Sequence, residues 1–179
     1  MLSTVMGFGL LVGFTATSLV APTAAMATTS NGDLAFVYQA NPYRLAVRKT
    51  TGAVSTLMDL ASDDTQVHVS PSPDGSRIAF NSRLSGRQHS EIYVVNSDGS
   101  GAYEITTSIT SNPSVDWFPS WCGSQTILFQ RQFNDGPAQL WKVQPNGTGL
   151  TKISLDDTRS YTAPVCSPDG QDVANRIQA

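Results

Sequence analysis

The chain has 179 residues, 40% hydrophobic and 14% charged, which excludes a disordered tail and a polytopic membrane protein. Its formal charge of −3 and its scattered lysines and arginines leave no basic footprint for nucleic acid. The length suits one domain, or several small repeats sharing one core. From Met1 to Gly32 no side chain is charged, and Val5 to Val20 is mostly apolar. Ala25-Met26-Ala27 then places small residues at the −3 and −1 positions of a signal-peptidase site. Residues 1–27 therefore read as a secretory signal, although the segment before the apolar stretch has no Lys or Arg. An uncleaved anchor is the competing reading, since about twenty apolar residues span a bilayer.

After the signal, short strand-like runs alternate with turn signals, and no helical period is sustained for three turns. Leu34–Val37, Tyr43–Arg48 and Ala53–Leu57 read as strands around the Thr51-Gly52 turn. Gln66–Ser70 alternates as a half-buried strand does. Ser72-Pro73-Asp74-Gly75 is a tight turn feeding a strand over Arg77–Ser82, and Glu91–Val95 is its partner. Asn96 to Gly101 closes that pair, because Gly accepts positive φ and Asp bonds its own backbone. Another strand ends at Ile105-Thr106, and the next runs over Val115–Trp121.

The pattern then repeats in order. Thr126-Ile127-Leu128-Phe129 restates Arg77-Ile78-Ala79-Phe80, and Gln139–Val143 restates Glu91–Val95. Asn146–Gly149 restates Asp98–Gly101, Leu150–Ser154 restates the strand ending at Thr106, and Ser167-Pro168-Asp169-Gly170 restates the first turn. The period is roughly 44 to 49 residues, that of a four-stranded propeller blade.

On these residues the chain resembles the TolB-like, WD-type β-propeller repeats, whose blade carries Pro-x-Trp-Ser-Pro-Asp-Gly followed by Ile-Ala-Phe and Ile-Tyr-Val strands. The match comprises Ser72–Phe80, Ile92–Gly99, Ile105-Thr106, Pro119–Trp121 and Pro164–Gly170. Departures are Val69 and Pro71 in place of Pro and Trp, the loss of Pro-Asp-Gly at Cys122-Gly123-Ser124, and Asn175 where Phe80 and Phe129 stand. The resemblance implies an all-β fold of four-stranded antiparallel blades over 28–60, 66–107, 115–154 and 161–179, the last cut short. About three and a half blades do not close a propeller, which typically needs four to eight. The expectation is an incomplete propeller: a truncated reading frame, or a segment needing missing blades or self-association for closure.

Candidate chemistry is sparse. Asp116, Trp117 and Phe118 lie at the start of an innermost strand, where side chains can reach a channel mouth and a ligand or partner. The plainer role for Asp116 is bonding backbone N–H groups of the loop between blades. His68 falls on another inner strand and His89 in a loop. Trp117, Phe118, Trp121 and Trp141 suit a partner-binding rim, while Trp121 and Trp141 fit better as filling between blades. Asn96 to Gly101 imitates half a calcium loop, but its twelfth position is Thr107 instead of a bidentate Glu. Asn146-Gly147-Thr148 is a glycosylation sequon, relevant in a eukaryotic secretory pathway. Cys122 and Cys166 form no metal motif; they are two buried free thiols or, in an oxidising compartment, one disulfide.

No nucleophile elbow, phosphate loop or paired-carboxylate motif occurs, so neither catalysis nor a cofactor is expected. The expected function is an exported, periplasmic or extracellular, non-enzymatic module that binds a protein or peptide, touching membrane only through its N-terminal segment. The alternatives are the gating propeller of an exported prolyl-oligopeptidase-type peptidase, and a fragment without activity.

Overall fold

The structure, a computed structural model, describes residues 27–28, 32–84, 88–107, 112–167 and 169–178. Apart from Ala27, the signal-peptide segment lies outside these residues. The described residues are all-β, in antiparallel meanders whose strands follow one another in sequence order. The first sheet contains β1 (Ala27–Thr28), β2 (Leu34–Tyr38), β3 (Arg44–Arg48) and β4 (Val54–Asp59). The second contains β5 (Val69–Pro71), β6 (Arg77–Ser82), β7 (Glu91–Asn96) and β8 (Tyr103–Glu104). The third contains β9 (Ser114–Cys122), β10 (Thr126–Phe133), β11 (Gln139–Val143) and β12 (Thr151–Lys152). The fourth is a pair, β13 (Ser160–Cys166) and β14 (Val173–Gln178).

Two turns recur with the same hydrogen bonds. At Ser72–Arg77 the Ser72 hydroxyl donates to Asp74 at 2.6 Å and accepts from the Arg77 N–H at 3.0 Å. At Ser167–Asp172 the Ser167 hydroxyl donates to Asp169 at 2.5 Å and accepts from the Asp172 N–H at 2.9 Å. Donation from Ser72, then from the Ser76 N–H and hydroxyl, holds the Asp74 carboxyl at about 2, below its ordinary 3.8. The second turn joins the third and fourth strands of a sheet, with the Ser100 N–H on Asp98 Oδ1 at 2.9 Å and the Thr148 N–H on Asn146 Oδ1 at 3.1 Å. The half calcium loop is therefore a hairpin turn whose Asp98 carboxylate also accepts from the Ser100 hydroxyl at 2.7 Å.

The sheets stack through their faces. Successive residues of a strand point to opposite sides, so the run Ile78-Ala79-Phe80 serves two interfaces at once. Ile78, Phe80, Tyr93 and Val95 pack with Ala35, Val37, Leu45 and Val47 of the first sheet. Ala79, Ile92 and Val94 pack with Trp121, Ile127, Phe129 and Val143 of the third. Covering both faces is why β6 and β7 read as continuous apolar runs, and each fully buried large side chain contributes roughly 1.5–3 kcal/mol. Trp121 is buried in the second interface and Trp141 packs against it, which is the filling role.

Two expectations change. The strand expected over Gln66–Ser70 pairs regularly only from Val69, because the His68 N–H turns to the Asn81 side chain at 2.9 Å. The free-thiol reading gives way to a disulfide: the Cys122 and Cys166 sulfurs are 2.02 Å apart. It links the third sheet to the fourth and closes a loop of 44 residues, worth about 4 kcal/mol by loop-closure entropy.

One glycine has a second duty. Gly99 has φ 89°, and a Cβ there would lie 2.8 Å from the Leu57 carbonyl oxygen of the first sheet, so this turn seats directly on its neighbour's backbone. Gly52 has the same φ of 89° but faces open space. Gly52→Ala is expected to cost about 1–2 kcal/mol from backbone conformation alone. Gly99→Ala adds a backbone clash and is expected to cost roughly 1–3 kcal/mol more. Urea denaturation of the two variants checks this, and equal midpoints would contradict the docking role.

Candidate functional site

The innermost strands carry a bulge that builds a cleft. From Trp121↔Ile127 to Ser120↔Leu128 the β9–β10 register is regular, and it resumes one residue out of step at Trp117↔Gln130. Phe118 and Pro119 thus oppose Phe129 alone. Phe118 takes the left-handed conformation, φ 54°, an outlier for a bulky residue that costs roughly 1–3 kcal/mol. In a regular strand neighbours point to opposite faces; across this bulge Trp117 and Phe118 both face one cleft. The fourth sheet repeats the device with Ala163, φ 50°, so Phe118 supplies a ring where its counterpart supplies a methyl group.

The cleft has a volume of about 560 Å³ and is walled by His68, Trp117, Phe118 and Gln130, with Thr65 and Gln66 at its rim. His68 immediately precedes β5 of the second sheet and Phe118 lies on β9 of the third, their ring centres 4.0 Å apart, so the site spans an inter-sheet seam. The His68 ring is oriented by Nδ1, 3.2 Å from Asn81 Oδ1. The Asn81 amide is itself fixed, its Nδ2 donating to Gln66 O at 2.8 Å and Ser90 Oγ at 3.0 Å. Burial lowers the His68 pKa from its ordinary 6.5, partly offset by the Asn81 bond, so the ring is neutral at pH 7. Gln130 is 6% exposed, and its Oε1 has no hydrogen-bond partner among the described residues. A smaller pocket of about 290 Å³, with Asp64, Arg83 and His89 in its wall, adjoins across Trp117.

Asp116 directly precedes Trp117 on β9. It is fully buried, and Arg131 grips its carboxylate with Nε on Oδ1 at 2.7 Å and Nη2 on Oδ2 at 2.6 Å. This two-pronged pair replaces both channel-mouth contact and bonding to loop N–H groups. The Arg131 guanidinium also lies over the rings of Phe129 and Trp141, each 5.4 Å from the ring centre. The Asp116 N–H, donating to Ser90 O at 2.8 Å, ties the same residue to the second sheet. Of the residues nominated by sequence, the cleft gathers His68, Trp117 and Phe118; Gln130 and Thr65 were missed. Cys122 and Cys166 lie at the far end of β9 and β13, and among the described residues no cluster of His, Cys, Asp and Glu is set to hold a metal ion.

With this geometry in place, comparison with solved structures defines the class. The chain is similar to TolB from Acinetobacter baumannii, at 16% identity and TM-score 0.64 over 84% of this chain and 36% of that one. It is similar to a putative TolB from Agrobacterium tumefaciens, at 20% identity and TM-score 0.65 over 86% of this chain and 57% of that one. A prolyl endopeptidase matches at 16% identity and TM-score 0.57, over 82% of this chain and 25% of that one. No protein-family profile and no curated protein sequence matches the chain. The fold is therefore that of a TolB-like β-propeller, present as part of the ring, and the chain covers less than two thirds of either TolB structure.

The buried pair gives a direct test. Arg131→Met leaves Asp116 buried without its partner and is expected to cost about 3–5 kcal/mol. Asp116→Leu combined with Arg131→Met removes both charges, and the double variant is expected to be more stable than the Arg131→Met single variant. Additive losses in thermal and urea unfolding would show that the two side chains act independently.

Proposed function

We propose that this chain is an exported, non-enzymatic propeller module that binds a protein partner through an extended peptide segment lying in the Trp117–Phe118–His68 cleft. The observation that carries the reading is the bulge at Phe118, a strained conformation whose effect is to present two adjacent aromatic side chains on one concave wall. Half-buried aromatics in a concave seam are the typical anchors of binding energy. Export is supported by the Cys122–Cys166 disulfide, since such bonds persist in oxidising compartments, and by the uncharged N-terminal segment with its Ala-Met-Ala site. The periplasm or the extracellular space is the proposed location.

The test is selection of a random-peptide phage library on the oxidised full-length chain, in parallel with its Trp117→Ala variant. Peptides selected by the wild-type chain are expected to bind the variant at least about tenfold more weakly, the loss typical of a buried aromatic anchor. Equal binding to both proteins, or no selected peptide at all, would contradict this reading.

A further inference from the structure

The cleft has a chemistry more specific than peptide binding in general. Three rings line it, those of Trp117, Phe118 and His68. Gln130 shares the same wall, nine-tenths buried, with an acceptor oxygen that nothing among the described residues satisfies. A buried acceptor without a donor is costly and calls for an N–H group from elsewhere. The Gln130 amide has a soft terminal torsion, so either its oxygen or its nitrogen can be turned toward the cleft that the residue lines. Among the described residues, no Lys or Arg lines this cleft. Arg83, in the wall of the adjoining pocket, is held by Asp63 at 3.2 Å and Asp64 at 3.9 Å.

The complementary group has two apolar faces for the rings, N–H donors around its edge for Gln130, and a positive charge for the ring faces. A guanidinium meets all three requirements. An ammonium lacks the planar faces and is more strongly hydrated. The chain seats its own guanidinium groups in this manner: Arg77 lies 4.9 Å over the Trp121 ring and Arg131 5.4 Å over Trp141. The net charge of −3 adds a weak attraction for a cationic partner.

We propose that the cleft takes the guanidinium of an arginine side chain, stacked on Trp117 and Phe118 and donating to Gln130, a specificity that rests on the peptide-binding reading above. His68, neutral through burial, contributes a third ring face and no competing charge. The arginine belongs to the partner peptide, and its backbone extends toward the rim at Thr65 and Gln66.

The experiment uses the oxidised full-length chain and three blocked pentapeptides, Gly-Ser-Xaa-Ser-Gly, in which Xaa is arginine, citrulline or tryptophan. Binding is read from the Trp117 indole N–H resonance, assigned with Trp117→Phe. The arginine peptide is expected to shift that resonance saturably and to bind at least about tenfold tighter than the neutral, isosteric citrulline peptide. Gln130→Leu is expected to weaken the arginine peptide about tenfold while leaving the chain folded. Citrulline or tryptophan binding as tightly as arginine would overturn the guanidinium assignment and leave peptide binding intact. Absence of any shift with all three peptides also overturns it, and the phage selection then decides independently whether the peptide reading survives.

Discussion

Everything in this structure depends on sheets that are covered on both faces. A four-stranded antiparallel meander is a thin object, and the second sheet has adjacent apolar side chains, Ile78-Ala79-Phe80 on β6 and Ile92–Val95 on β7, that point to both of its faces. Left alone it would expose two hydrophobic faces; stacked, it sends Ile78 and Phe80 into one interface and Ala79 and Ile92 into the other. The Gly99 turn then sits on the backbone of the sheet before it, which fixes the spacing at the rim. The fourth sheet shows the same rule from the other side: Val165, Val173 and Ile177 are 59%, 40% and 53% exposed, and the Cys122–Cys166 bond ties it to its neighbour covalently.

The cleft is a product of that stacking. His68 and Phe118 meet only because adjacent sheets bring their innermost strands together, and the bulge decides which side chains line the seam. Next to Trp117 in the chain, the Asp116–Arg131 pair fixes the strand segment that carries it. A buried ion pair adds little net stability over an apolar replacement. Its benefit here is geometric: two parallel hydrogen bonds lock β9 against β10 in the shifted register.

Much of this was legible in the sequence, and the illegible part has specific causes. The turns were readable because Ser-Pro-Asp-Gly and Asn-x-Asp-Gly act locally, through side chains bonding backbone two to five residues away. His68, Trp117 and Phe118 were nominated from their place on inner strands. Gln130 was not, because beside Phe129 it reads as an ordinary outward polar residue, and its position depends on pairing with Trp117 across the hairpin. The Asp116–Arg131 pair was hidden by the bulge: regular counting from Trp121↔Ile127 sets Gln132 opposite Asp116, and the extra residue brings Arg131 there instead. The disulfide did leave a signal. Its cysteines are 44 residues apart, about one repeat, and one-repeat spacing places equivalent positions on neighbouring sheets.

The central claim is that a site exists at the seam between the second and third sheets, built from one ring of each. The most direct measurement is the nuclear Overhauser effect between the His68 imidazole protons and the Phe118 ring protons in the oxidised chain. With ring centres 4.0 Å apart, strong cross-peaks are predicted. A chain that keeps its β6–β7 and β9–β10 backbone contacts yet shows no His68–Phe118 cross-peak would contradict the account.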